Sequence, residues 1–214
     1  MLTLVLGGAR SGKSRYAESL IASLPQPWIY IATAEARDDE MAARIAAHRA
    51  RREAGWQTVE APHELPEALH QAPADAAVLV DCLTLWLTNV MLGSFDVENM
   101  TAKLEDALRA RGGETVLVSN EVGLGIVPEN ELGRRFRDTQ GILNQRMAAL
   151  SDRVVLMVAG LPVKVKGHAM TKMVDDKDAE RHRTKMANRK ARQDEEVAGK
   201  TIEKVGASAT PKRA

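Results

Sequence analysis

The sequence predicts a doubly wound α/β domain, a mostly parallel sheet with helices on both faces. Three observations carry this reading. Short continuous apolar runs recur along the first 167 residues, and helical stretches separate them. Strands covered on both faces read as unbroken apolar runs rather than as alternating ones, so the sheet is expected to be parallel and buried. The first run also passes through a glycine-rich turn directly into a helical stretch.

Leu2–Leu6 is the first expected strand, followed by a helix from Lys13 to about Leu24. Trp28–Ala32 is the second, with β-branched and aromatic members. Asp38–Glu53 is helical by composition, and Trp56–Glu60 has the length of a short strand. Ala76–Val80 is a third buried run, followed by the apolar stretch Leu83–Leu92 and a helix from about Val97 to Arg111. Thr115–Ser119 is the next run, Glu129–Ser151 is mostly helical, and Arg153–Ala159 is the last run. No internal repeat is visible.

Composition narrows the function classes. The chain has 214 residues, 44% of them hydrophobic and only 3% aromatic, enough for one domain with an extension. Thirty Lys and Arg against 29 Asp and Glu give a net charge of +1, which argues against a strongly basic nucleic-acid footprint. The single cysteine, Cys82, excludes an internal disulfide. No apolar run reaches the length of a membrane span, and the N-terminus lacks the basic start of a signal peptide. A soluble cytoplasmic protein with no membrane insertion and no nucleic-acid partner is the expectation.

Charge is unevenly spread. Residues 1–167 carry a net −3 and residues 168–214 a net +4. The second segment contains no Leu, Phe, Trp or Tyr, so it offers too little apolar surface to offset the entropy of ordering. Residues 1–167 are expected to fold, and 168–214 to form a charged extension, disordered or partly helical around Asp176–Glu196.

The turn after the first run reads Gly7-Gly8-Ala9-Arg10-Ser11-Gly12-Lys13-Ser14, a complete G-x-x-x-x-G-K-[ST] phosphate loop. Its glycines let backbone N–H groups converge on phosphates, and the following helix turns its positive end to the same anion. Lys13 is expected to reach the β/γ-phosphates and the Ser14 hydroxyl to bind Mg²⁺. The fold class is therefore that of P-loop NTPases. Asp81 ends the third run, where a second metal-binding acid belongs. Glu121, after the run Val116–Asn120, competes for that duty.

Asp38–Glu53 reads DDEMAARIAAHRARRE. Acids open this helix and bases close it, which suits the macrodipole and a solvated helix. The spacing also places Arg44, Arg51 and Arg52 on the face of His48. Nearby cations keep an imidazole neutral, and a neutral imidazole facing a nucleotide can attack phosphorus. The spacing leaves both readings open.

These residues together resemble the bifunctional adenosylcobinamide kinase / adenosylcobinamide-phosphate guanylyltransferases of cobalamin synthesis. The resemblance rests on GGARSGKSRYAE at 7–18, YIATAEARDDEMAARIAAHRARR at 30–52, WQTVEAP at 56–62 and LVDCLTLWLTN at 79–89. It continues through SNEVGLGIVPENELGRRFRDTQGILNQRMAALSD at 119–152 and VAGLPVKVK at 158–166. It implies phosphorylation of adenosylcobinamide with ATP or GTP. It then implies transfer of GMP from GTP to adenosylcobinamide phosphate through a GMP-histidine at His48. The implied nucleotide contacts are Gly7 to Ser14, Thr33, Ala34, Glu35, Arg49, Ala50, Arg51, Arg52, Glu60 and Asp81. Some members are trimers, so a homo-oligomer is implied. Residues 170–204 instead resemble the N-terminal leader of a corrinoid adenosyltransferase, as if a truncated neighbour were appended.

A P-loop small-molecule kinase without nucleotidyl transfer is the alternative, with His48 structural. A GTP switch would need an N-K-x-D guanine motif, which is absent from the sequence. A nucleic-acid NTPase would need a basic surface with interleaved aromatics.

Overall fold

The computed structural model describes residues 1–51 and 54–167. The side chains of Arg44, His48 and Arg51, the whole of Arg52 and the extension with its expected helix at Asp176–Glu196 lie outside the described residues.

Seven strands form one sheet in the order β3-β2-β4-β5-β1-β6-β7. They are β1 (Leu2–Gly7), β2 (Trp28–Ala32), β3 (Trp56–Glu60), β4 (Ala77–Asp81), β5 (Thr115–Asn120), β6 (Arg153–Val158) and β7 (Leu161–Lys166). The first six are mutually parallel, and β7 pairs antiparallel with β6 at the edge. The helices are α1 (Lys13–Ala22), α2 (Asp39–Arg51), α3 (Leu65–Gln71), α4 (Leu83–Leu92), α5 (Val97–Ala110) and α6 (Glu131–Leu150). The α/β class and the mostly parallel sheet are as the sequence predicts.

The apolar stretch Leu83–Leu92, whose type the sequence leaves open, is the helix α4, and two further elements lie outside the predicted set. α3 is only seven residues long, too short for a helical period to show, and Pro66 sits in its first turn, where a missing N–H costs nothing. β7 alternates Leu161, Val163 and Val165 with Pro162, Lys164 and Lys166, and all six are exposed. Its lysines and proline suit an unpaired edge.

The unbroken apolar runs supply both faces of the sheet. Leu2, Leu4, Ile29, Ile31, Val78, Val80 and Leu117 pack under α3, α4, α5 and α6. Val5, Tyr30, Leu79, Val116, Val118 and Met157 pack under Ala17, Leu20 and Ile21 of α1. Alternation along each strand thus assigns every strand-end residue to one face or the other. All six parallel strands point their C-terminal ends to the same edge, and the loops that leave that edge carry the candidate site.

Candidate functional site at the C-terminal edge of the sheet

The phosphate loop leaves β1 between two neighbours. Gly7 is paired in register with Asn120 of β5 and with Met157 of β6. A side chain at Gly7 is excluded by crowding: its Cβ would lie 2.5 Å from Ser11 Oγ and 2.9 Å from the Met157 carbonyl oxygen. Gly12 caps α1 with φ of 92°, a left-handed conformation that only glycine adopts cheaply. A turn at Ala159-Gly160 between β6 and β7, both residues at positive φ, leans on the loop. The Gly160 N–H donates to the Ser11 carbonyl oxygen at 3.1 Å.

Lys13 is buried, and its Nζ donates to the Gly8 carbonyl oxygen at 2.9 Å inside the loop. Burial lowers its pKa from the ordinary lysine value, while Cys82 and Asp81 act in the opposite direction. The Cys82 thiol is pushed up to about 12 by its own burial and then by Asp81, so at neutral pH it is uncharged. The negative charge facing Lys13 is therefore Asp81, at the end of β4. Asp81 Oδ2 accepts from the Tyr30 hydroxyl at 3.0 Å. Ser14 stands beside Lys13 at the head of α1. The Ser14 hydroxyl and the Asp81 carboxylate are hard oxygen donors, the type that a magnesium ion takes alongside phosphate oxygens. Among the described residues no group of three or more His, Cys, Asp or Glu could hold a metal alone.

Thr33 is buried, and all its polar groups are engaged within the protein. Its hydroxyl donates to the Cys82 carbonyl oxygen at 2.7 Å and accepts from the Cys82 N–H at 2.8 Å. Its own N–H donates to the Asp81 carbonyl oxygen, and its carbonyl accepts from Asn89 Nδ2 at 2.8 Å. Thr33 therefore acts as a lock behind the site, and the surface beyond it is formed by Ala34 and Glu35. Glu35 pairs with Arg37, which also donates to Asn89 Oδ1 at 3.0 Å. Asn89 Nδ2 further reaches the Pro62 carbonyl oxygen. Asn89 thereby ties the ends of β2 and β3 to α4.

α2 follows this segment. None of its described side chains is buried. Arg49 forms an ion pair with Glu60 at the end of β3, so two residues expected at the nucleotide meet each other. Ala50 is exposed on the same helix and lines an open groove with Ala36, Ala42, Ile45, Ala46 and Arg49. His48 is placed on α2 by its backbone, one residue before Arg49.

β5 ends on the loop that carries Glu121. The Glu121 N–H donates to the Gly7 carbonyl oxygen at 3.0 Å, which ties this loop to the phosphate loop. Its carboxylate accepts from the Gly123 N–H at 2.6 Å and so is turned toward its own loop. Behind it lies a buried polar network. Ser119 Oγ donates to Asn144 Oδ1 at 2.7 Å, and Gln140 Nε2 donates to both Ser119 Oγ and Asn144 Oδ1 at 3.0 Å. Arg137 donates to the Gly123 carbonyl oxygen, and Arg134 to the carbonyls of Pro128 and Glu129, so both brace this loop.

Sequence reasoning missed Tyr30, Asn89 and the Ser119–Gln140–Asn144 group. Tyr30 reads as one more apolar strand residue. Asn89 and Gln140 sit inside helical stretches where a solvated amide is the default. Their one visible signal is a carboxamide at a position that helical periodicity turns inward.

The sheet order and the phosphate loop, with Lys13 inside it and Asp81 at the end of β4, define a P-loop nucleotide-binding α/β domain. A family profile described as cobinamide kinase / cobinamide phosphate guanyltransferase matches residues 3–165. The chain is 50% identical over 174 residues to a bifunctional adenosylcobalamin biosynthesis protein, CobP, of Pseudomonas aeruginosa, covering 79% of this chain and all of that protein. It is 44% and 43% identical over 182 residues to the CobU proteins of Salmonella typhimurium and Escherichia coli, which carry the same description. Each match covers 78% of this chain and the whole of the relative. The chain belongs to the cobinamide kinase / cobinamide phosphate guanyltransferase family. No described helix is long and apolar enough to cross a membrane.

Proposed function

We propose that the protein phosphorylates adenosylcobinamide with ATP or GTP and then transfers GMP from GTP to adenosylcobinamide phosphate. The observation that carries this is the family match across residues 3–165, which contains the whole phosphate loop and His48. In the first reaction the aminopropanol hydroxyl oxygen attacks the γ-phosphorus. A new P–O bond forms, the bond to the β–γ bridging oxygen breaks, and the nucleoside diphosphate leaves. The hydroxyl proton passes to a carboxylate or to water. Lys13 releases Gly8 and takes a phosphate oxygen, and Gly8, Ala9, Arg10, Ser11 and Gly12 offer backbone N–H groups.

In the second reaction His48 attacks the α-phosphorus of GTP and pyrophosphate leaves. The phosphate of adenosylcobinamide phosphate then displaces the histidine, giving adenosylcobinamide-GDP. Arg49, Ala50, Arg51, Arg52 and Glu60, with Ala34 and Glu35, form the expected GTP surface around α2, and Thr33 supports it. Ser14 and Asp81 would hold Mg²⁺ with the nucleotide. The ion would neutralise phosphate charge and orient the phosphates.

Residues 1–167 carry both reactions in this reading, and residues 168–214 carry neither. A homo-oligomer, such as the trimer that some members of the family form, and a cytoplasmic location complete the proposal. Incubation with GTP labelled at the α-phosphate tests the chemistry. Label should stay on the protein and leave on addition of adenosylcobinamide phosphate. Absence of a labelled protein would favour a simple kinase.

A further inference from the structure

We propose that Asn120 is a catalytic residue of the kinase step, and that its carboxamide donates a hydrogen bond to the γ-phosphoryl group in flight. This deepens the function proposed above and rests on it.

Its backbone is fixed from two helices. The Asn120 N–H donates to Thr84 Oγ1 of α4 at 2.8 Å, and its carbonyl oxygen accepts from Asn144 Nδ2 of α6 at 3.0 Å. Asn144 is held in turn by Ser119 and Gln140, both fully buried. The next residue is tied to Gly7. This is an expensive arrangement of buried polar groups for a strand end, with Gln140 Oε1 left without a partner among the described residues, and it holds the Asn120 backbone through direct hydrogen bonds with both helices.

The side chain of Asn120 is different. It is half-buried, and among the described residues its carboxamide has no hydrogen-bond partner. Strand alternation shows where it points. Val116 and Val118 face α1, while Leu117 faces the opposite core and Ser119 is hydrogen-bonded to α6. Asn120 therefore faces the α1 side. Asp81 lies on that same side, two residues beyond Leu79 and bonded to Tyr30. In register Asn120 stands beside Gly7, the first residue of the phosphate loop. β5 is also the strand between β1, which carries the loop, and β4, which carries Asp81.

An unpartnered amide on a fixed strand end, with the phosphate loop on one neighbouring strand and Asp81 on the other, suits a phosphate whose equatorial oxygens gain charge during transfer. Its Nδ2–H groups can turn to meet that charge. The carboxamide takes no part in bond making and moves no proton. Thr84, Gln140 and Asn144 are positioning residues that act through it. In guanylyl transfer the bond breaks at the α-phosphate, so the γ-phosphate is only part of the leaving group and Asn120 matters less.

The test is steady-state kinetics of Asn120→Ala and Asn120→Asp, with the two reactions measured separately. Kinase kcat should fall about 10²-fold in Asn120→Ala, the loss typical of one such donor. KM for ATP and for adenosylcobinamide should change little. Asn120→Asp should be slower still, because a carboxylate repels the phosphoryl oxygens. Label transfer from GTP to the protein should stay within about threefold, and the melting temperature should hold. Kinase activity kept in either variant would overturn the proposal. So would a rise in KM for adenosylcobinamide at unchanged kcat, which would put Asn120 on the acceptor, or equal loss of both reactions. If wild-type protein fails to phosphorylate adenosylcobinamide, the substrate assignment is what fails. The Asn120 role is then read from phosphate release from ATP, where the same 10²-fold loss is expected.

Discussion

α1 and α2 each follow a parallel strand at the same edge of the sheet, yet they are held in opposite ways. α1 buries Lys13, Ala17, Leu20 and Ile21, and its N-terminus is wrapped by a loop bonded to β5 and to the β6–β7 turn. α2 buries none of its described side chains and opens on two acids, Asp39 and Glu40, that stabilise it from within. The kinase centre thus belongs to the core, whereas the histidine expected to carry GMP belongs to a helix outside it. Two chemistries on one nucleotide fold need not share one degree of rigidity.

The sharpest break in this comparison is His48→Ala. Guanylyl transfer should be lost completely, because its nucleophile is gone, while much of the kinase activity remains. The assay is retention of α-label on the protein beside phosphorylation of adenosylcobinamide, and a labelled adduct in the variant would refute the role. Packing gives the next contrast. Ile21→Ala removes a fully buried side chain from α1 and should cost roughly 2–5 kcal/mol. Ile45→Ala on α2 should cost under about 1 kcal/mol. Chemical denaturation of the two variants measures both, and equal losses would show that α2 is as deeply packed as α1. Lys13→Ala should lower kinase kcat by roughly 10²-fold or more with the melting temperature preserved.

Much of this contrast was legible in the sequence. The complete phosphate loop and the apolar runs place α1, and the charge order of Asp38–Glu53 already reads as a helix in water. The locks were not legible. Thr33, Asn89 and Gln140 become important because distant chain segments meet at them, and one-dimensional patterns carry no such information. α3 and β7 were missed for a simpler reason. One is shorter than two helical turns, and the other is an edge strand with no buried face.

Away from the site, α5 and α6 are joined by an ion network centred on Arg146. Arg146 donates to Glu105 at 2.6 Å and to both oxygens of Glu98 at 2.8 Å. The hydrogen bond from Arg146 is the chief cause that holds the Glu105 carboxyl below its ordinary value of 4.5. A lowered folded-state pKa stabilises above the unfolded value, and that stability disappears as pH falls through the folded one. Arg146→Met should therefore lose about 1 kcal/mol at pH 7 and show a flatter decline below pH 4.5 than wild type. Denaturation at several pH values checks the slope. The smallest effect belongs to α2 again. Arg49 and Glu60 are both well exposed, so Arg49→Ala should shift stability by less than about 0.5 kcal/mol, measurable in the same denaturation series.

The turn at Ala159-Gly160 has a consequence for watching the enzyme at work. Its Gly160 amide proton rests on the carbonyl of Ser11, within the loop that must close round a triphosphate. That proton, in the β6–β7 hairpin, is expected to report on the loop. Its exchange with deuterated solvent should slow when ATP or GTP fills the loop, and the slowing should vanish in a variant whose loop cannot bind phosphate. The edge of the sheet would then register nucleotide occupancy through one amide proton.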